Sequence, residues 1–109
     1  MSVVLFAAQR LTAMVLAFAV SIHIGTIIYA VRGGLTAGDI LGRTQGNRWF
    51  LAFYAVFVIA VAIHAPIGLR NIFREWAGWR GPTLDLVLAG FSVLLVILGL
   101  RAVLALYVP

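Results

Sequence analysis

Three apolar runs occupy most of this chain, at about residues 3–31, 49–72 and 84–108. Each exceeds the ~20 residues that a helix needs to cross a ~30 Å hydrocarbon core. Backbone in lipid must satisfy its own hydrogen bonds, which leaves only helices or closed barrels. These runs are too few and too long for barrel strands. The expected fold is an all-α integral membrane protein, with residues 1–109 forming a single transmembrane domain of three helices. A soluble alternative fails on composition. Of 109 residues 64% are hydrophobic and 10% charged, against about 45–50% and about 25% in soluble domains. So small a soluble fold could not hide that much apolar surface.

Charge and residue usage narrow the function. The formal charge is +5, carried by eight arginines and no lysine. The arginines are scattered singly at the edges of apolar segments, where they anchor helix ends to lipid phosphates. They form no stripe that could follow a nucleic acid, so nucleic-acid binding is not expected. The absence of cysteine removes disulfides, thiolate metal sites and cysteine nucleophiles. No basic leader precedes Val3, and the first charge, Arg10, falls inside the first apolar run. A cleavable signal peptide has the opposite order, so the first run reads as a retained span.

The connections carry their own signals. Gly33-Gly34 ends the first span, and Thr36 followed by Asp39 resembles a capping box, which predicts a short interfacial helix over Ala37–Leu41. Trp49, Trp76, Trp79, Tyr29 and Tyr107 occupy belt positions at span ends. Arginines divide evenly between the two connections, so they do not fix orientation. Arg10 leans the N-terminus toward the cytoplasm.

The two histidines, His23 and His64, both fall inside spans. Ionisable groups in the membrane are rare and usually functional, and imidazole is a common axial ligand of haem iron. A structural histidine bonded across helices is the plain alternative. Ala60 and Gly68 lie one turn either side of His64, and Ala19 one turn before His23. On a shared helix face such small residues leave a flat recess, which suits a porphyrin plane or a close helix neighbour. Each histidine lies several residues past the middle of its span. In antiparallel neighbours this displaces them toward opposite membrane faces, by roughly 15 Å in depth. One iron cannot take both. Each would need a partner histidine from another chain, which predicts a hetero-oligomer with up to two haems.

Pro66, two residues after His64, frees the carbonyl of Ala62, which a neighbour or water must satisfy. Arg10 and Arg70 fall on the same membrane side as His64, where guanidiniums can pair with haem propionates or snorkel to phosphates. The acids Asp39, Glu75 and Asp85 all lie in connections or at a span edge. Transporters and channels usually place acids inside spans, which disfavours a small transporter or channel subunit.

The stretch Ala62-Ile63-His64-Ala65-Pro66-Ile67-Gly68-Leu69-Arg70, followed by Glu75-Trp76, resembles the second-span motif of the cytochrome b membrane-anchor subunits of succinate dehydrogenase and fumarate reductase (complex II). Gln9-Arg10-Leu11-Thr12-Ala13 is similar to the start of that family's first span. The resemblance implies a non-catalytic, haem b-binding subunit of an oxidoreductase complex in the bacterial inner membrane, N-terminus cytoplasmic. It implies a second membrane-anchor subunit, an iron–sulfur subunit and a flavoprotein subunit as partners, and quinone as substrate. By the same resemblance His64 is an axial haem ligand. Arg10, Thr12, Arg70 and Trp76 would contact a propionate or the quinone. The chain departs from the pattern at Phe6 and Gln9, which stand where the family has serine and histidine. His23 has its counterpart only in the di-haem anchors.

Overall fold

The computed structural model describes residues 2–109. It consists of four helices: α1 (Val3–Gly33), α2 (Ala37–Thr44), α3 (Arg48–Trp76) and α4 (Pro82–Tyr107). No strand occurs among the described residues. α1, α3 and α4 are each long and apolar enough to cross a membrane, so the chain is an all-α, multi-pass membrane protein. The spans run slightly longer than the apolar runs because polar caps, not loss of hydropathy, end them. The hydroxyl of Ser2 accepts from Leu5 N at 3.1 Å, the side chain of Asn47 accepts from Phe50 N at 3.1 Å, and Pro82 starts α4 at its first turn.

α2 is the expected interfacial helix, three residues longer than its sequence signal. Thr36 Oγ1 accepts from Asp39 N at 3.1 Å, and Asp39 Oδ2 accepts from Thr36 N at 3.3 Å. These two bonds hold the Asp39 carboxyl below its usual pKa. Gly34 makes the corner possible. Its φ is +124°, and a Cβ there would collide with the Asp39 carboxylate. α2 is then tied to the far end of α4: Thr44 Oγ1 donates to Leu106 O at 2.7 Å and Gly46 N to Tyr107 O at 3.0 Å.

α3 is the middle helix, packed on α1 along one side and on α4 along the other. Without a hydrophobic force between helices in lipid, close packing and interhelical hydrogen bonds must hold them. The α3–α4 contact uses both. A Cβ on Gly99 would lie 2.6 Å from a methyl of Val58, so only glycine permits this approach. Ser92 Oγ donates to Ala62 O at 2.6 Å. That carbonyl is the one Pro66 leaves without its helical donor, so α4 supplies what the proline removes.

The α1–α3 contact is a stripe. Leu5, Gln9, Thr12, Leu16, Ala19 and His23 recur at alternating intervals of four and three, and all are buried or half-buried along a helix whose other faces are mostly exposed. This four-three spacing is that of a heptad seam. Gln9, Thr12 and His23 thus lie on the packed face of α1, and large apolar residues such as Val3, Phe18 and Ile24 face outward.

Candidate functional site

Three hydrogen bonds join α1 and α3, and two of them hold a histidine. His64 Nδ1 lies 3.1 Å from Thr12 Oγ1. His23 Nδ1 lies 2.9 Å from the hydroxyl of Tyr54. Each of α1 and α3 therefore contributes one imidazole and receives the other through a hydroxyl.

The proton positions follow from donor capacity. A hydroxyl has one hydrogen to give. That of Thr12 goes to Ala8 O at 2.7 Å, in the i−4 pattern. The His64 contact then requires Nδ1–H to donate. At the other end Thr26 Oγ1 donates to His23 O at 2.7 Å. When Tyr54 gives its hydrogen to Thr26 Oγ1, 3.1 Å away, His23 Nδ1–H is the donor to Tyr54. This arrangement puts the proton of both imidazoles on Nδ1 and leaves Nε2 to accept. In metal-ligating histidines the second nitrogen is held by just such an outer partner.

The register also measures depth. Thr12 and His23 are 11 residues apart on α1, and Tyr54 and His64 are 10 apart on α3. At ~1.5 Å rise per residue the imidazoles differ in depth by roughly 15 Å, which is the separation expected from their places in the spans. They are not positioned to share one ligand within this chain.

The surroundings of the two rings differ. His23 meets Tyr54 and Phe57 edge-on, with ring centroids 5.6 and 5.5 Å away at 81° and 86°. It borders a cleft of about 470 Å³ along the α3–α4 groove, walled by Phe57, Val61, Leu95 and Leu98. It also borders a larger cavity of about 610 Å³ reaching toward α2. The His64 end has small neighbours and one unmet polar atom. The Gln9 side chain packs onto Gly68, its Nε2 3.3 Å from where a Cβ would stand, and its Oε1 is buried with no hydrogen-bond partner. Buried acceptors are almost always paired. This orphan, one turn from Thr12, marks a place where a donor from outside the chain belongs.

The remaining candidate residues distribute unevenly. Ala19 and Ala60 are 4% and 5% exposed, and Gly68 is covered by Gln9. These three small residues therefore serve close helix packing, and the recess expected beside them is filled by the chain's own helices. Thr12 is occupied by His64 and Ala8, so its place is behind the imidazole and not at a propionate or quinone. Arg70 is tied to Asp85 through Nε–Oδ1 at 2.8 Å, across the second connection. Arg10 lies exposed with its guanidinium 5.6 Å from the Phe6 ring centroid, beside a cleft of about 410 Å³ lined by Phe6, Gln9, Ala13 and Met14. Trp76 is exposed at the last turn of α3. Arg10, Arg70 and Trp76 do share one membrane side with His64.

No cluster of three or more histidine, cysteine or acidic side chains capable of holding a bare ion occurs among the described residues. A lone imidazole at each level fits a porphyrin, which brings four nitrogens of its own. Sequence reasoning missed Tyr54 and Thr26. The signal was present: each histidine follows a hydroxyl-bearing residue on its own helix, at spacings of 11 and 10, and nearly equal spacings on antiparallel helices pair crosswise.

Compared with protein-family models, with curated proteins and with solved structures, the chain matches none.

Proposed function

We propose that this chain is a haem b-binding membrane-anchor subunit of a succinate:quinone oxidoreductase in a bacterial inner membrane, with its N-terminus on the cytoplasmic side. The observation that carries the reading is the matched pair of imidazoles. Each has Nδ1–H held by a hydroxyl and Nε2 left free, at levels roughly 15 Å apart. Bound haem would supply one-electron relay between an iron–sulfur partner and membrane quinone. The chain's own work is to present Nε2 of His64 and of His23, to hold each ring's orientation, and to keep water away from it. Each site is completed by a histidine from a second anchor subunit. On the His64 side Arg10 and Trp76 are free to border a quinone or a propionate, with Arg70 close by in its pair with Asp85. A flavoprotein and an iron–sulfur subunit would dock on that face.

The test is the haem-to-protein ratio of the intact complex, repeated with His23→Ala and His64→Ala. The expected result is two haems in the parent and one in each variant. A second reading has support in one observation: both imidazoles already have partners within the chain, as they would in a haem-free scaffold. A purified complex with no Soret band establishes that reading and ends the first.

A further inference from the structure

The cavity of about 610 Å³ beside His23 is polar at both ends and apolar between them. At its inner end stand His23, Thr26 and Tyr54. At its outer end, beneath α2, stand Arg43, Thr44 and Asn47. Ile27, Ala30, Leu35 and Ile40 wall the stretch between. His23 and Ala30 are seven residues apart on α1, so the cavity runs roughly 10 Å along the helix. Its size falls within the roughly 300–1,000 Å³ of small-molecule and cofactor sites.

Arg43 is the one charged side chain among the described residues that line this cavity. It is half-buried and held from two directions. Its Nη2 donates to Gly34 O at 2.5 Å, and its guanidinium lies 5.7 Å from the Tyr29 ring centroid. A guanidinium carries five N–H donors in a fixed fork suited to carboxylates. Among the described residues no carboxylate lies within ion-pair distance of it, the one such pair being Arg70–Asp85. Asp39, one turn earlier on α2, bonds to the Thr36 cap and feels the Arg43 charge without closing an ion pair with it. A held guanidinium with no carboxylate in ion-pair distance at one end of an apolar cavity, and an imidazole at the other, suit a flat apolar molecule that carries carboxylates at its edge.

We propose that Arg43 is the carboxylate-binding residue of the His23 site, taking the propionate edge of the haem whose iron His23 ligates. The inference rests on the haem reading above and gives the second site an anchoring cation of its own, on the membrane face opposite Arg10 and Arg70. The guanidinium would hold that carboxylate ionised and offset its charge. Without it, negative charge near the iron favours the ferric state, and the carboxyl takes up a proton more readily as the iron is reduced.

The experiment is a redox titration of the haem bands in the intact complex, run at several pH values across the neutral range. His23→Ala, Arg43→Gln, Arg43→Lys and Arg32→Gln are compared with the parent. Arg32 lies exposed near the same membrane face and does not line the cavity. The expected result for Arg43→Gln is a lowered midpoint potential with a steeper pH dependence, in one haem only. That haem is the one His23→Ala removes. Arg43→Lys should give a smaller shift, and Arg32→Gln none. If His23→Ala keeps both haems, the haem assignment itself fails. If His23→Ala loses one haem but Arg43→Gln leaves that haem's potential and pH profile unchanged, the assignment stands and Arg43 merely faces lipid phosphates, which overturns the proposal. Because Arg43 also caps the end of α1, Ala30→Phe gives an independent arm by filling the cavity midway. It should cost one haem and spare the other, and retention of both overturns the proposal.

Discussion

At one end of the α1–α3 seam an imidazole rests on an aliphatic hydroxyl among small side chains; at the other it rests on a phenol among aromatic rings. Thr12 is alone behind His64, its own hydrogen committed to Ala8. Tyr54 is one of two hydroxyls behind His23, backed by Thr26 and closing on the histidine's own carbonyl. The first arrangement is compact and has no substitute. The second is a relay of two hydroxyls and opens onto a cavity. A single deletion should therefore be felt more at His64 than at His23, although the two hydrogen bonds are nearly equal in length.

The largest effect is expected from Thr12→Val, which keeps the shape and removes the only acceptor for His64 Nδ1–H. Loss of an outer partner of a metal-ligating histidine typically lowers affinity about 10–100-fold. Haem retention by the purified complex in a chelating or detergent challenge measures it, and Thr12→Ser should restore it. Next comes Tyr54→Phe, with a loss of about 1 kcal/mol for one hydrogen bond between helices. The double change Tyr54→Phe with Thr26→Val should approach the Thr12→Val effect. If Tyr54→Phe alone matches Thr12→Val, the contrast between the two ends is wrong.

Smaller effects sharpen the contrast from the flanks. Ser92→Ala leaves Ala62 O without a donor beside the His64 level and should cost roughly 0.6 kcal/mol, at most about 1.7. Thermal unfolding in detergent reads this directly, with no counterpart expected at the His23 level. The smallest effect belongs to acid. Asp39 has its pKa lowered from 3.8 by its bonds to Thr36. The stability it gives α2 is therefore fully present above that ordinary value and is lost as pH falls through the lowered one. Hydrogen exchange at the first amides of α2 should accelerate over that acid range, and Asp39→Asn should weaken the dependence.

Much of this was legible in the residues. The spans follow from apolar length alone, and α2 from Thr36 and Asp39, because a capping box is a local device. The carbonyl freed by Pro66 was also foreseeable, since the loss is intrinsic to proline. That Ser92 would supply the donor was not, because it depends on how α4 turns its face to α3. The same limit applies to Ala19, Ala60 and Gly68. Small residues at helical spacing allow a flat ligand or a close helix equally, and only the packing shows that helices and Gln9 occupy these places. Thr12 stood out as unusually polar for a span, yet its partner lies 52 residues away. Tyr54 drew no notice because a tyrosine in an aromatic run reads as filler until the antiparallel register brings it opposite His23.

The crosswise exchange of hydroxyls has a consequence for biogenesis. During synthesis α1 leaves the ribosome well before α3 exists, and it enters the insertion machinery with His23 lacking its acceptor. The first span is apolar enough to enter lipid by itself, and its imidazole gains its hydroxyl partner only when α3 arrives beside it. The two bonds therefore act after insertion, and set how α1 and α3 align in the bilayer.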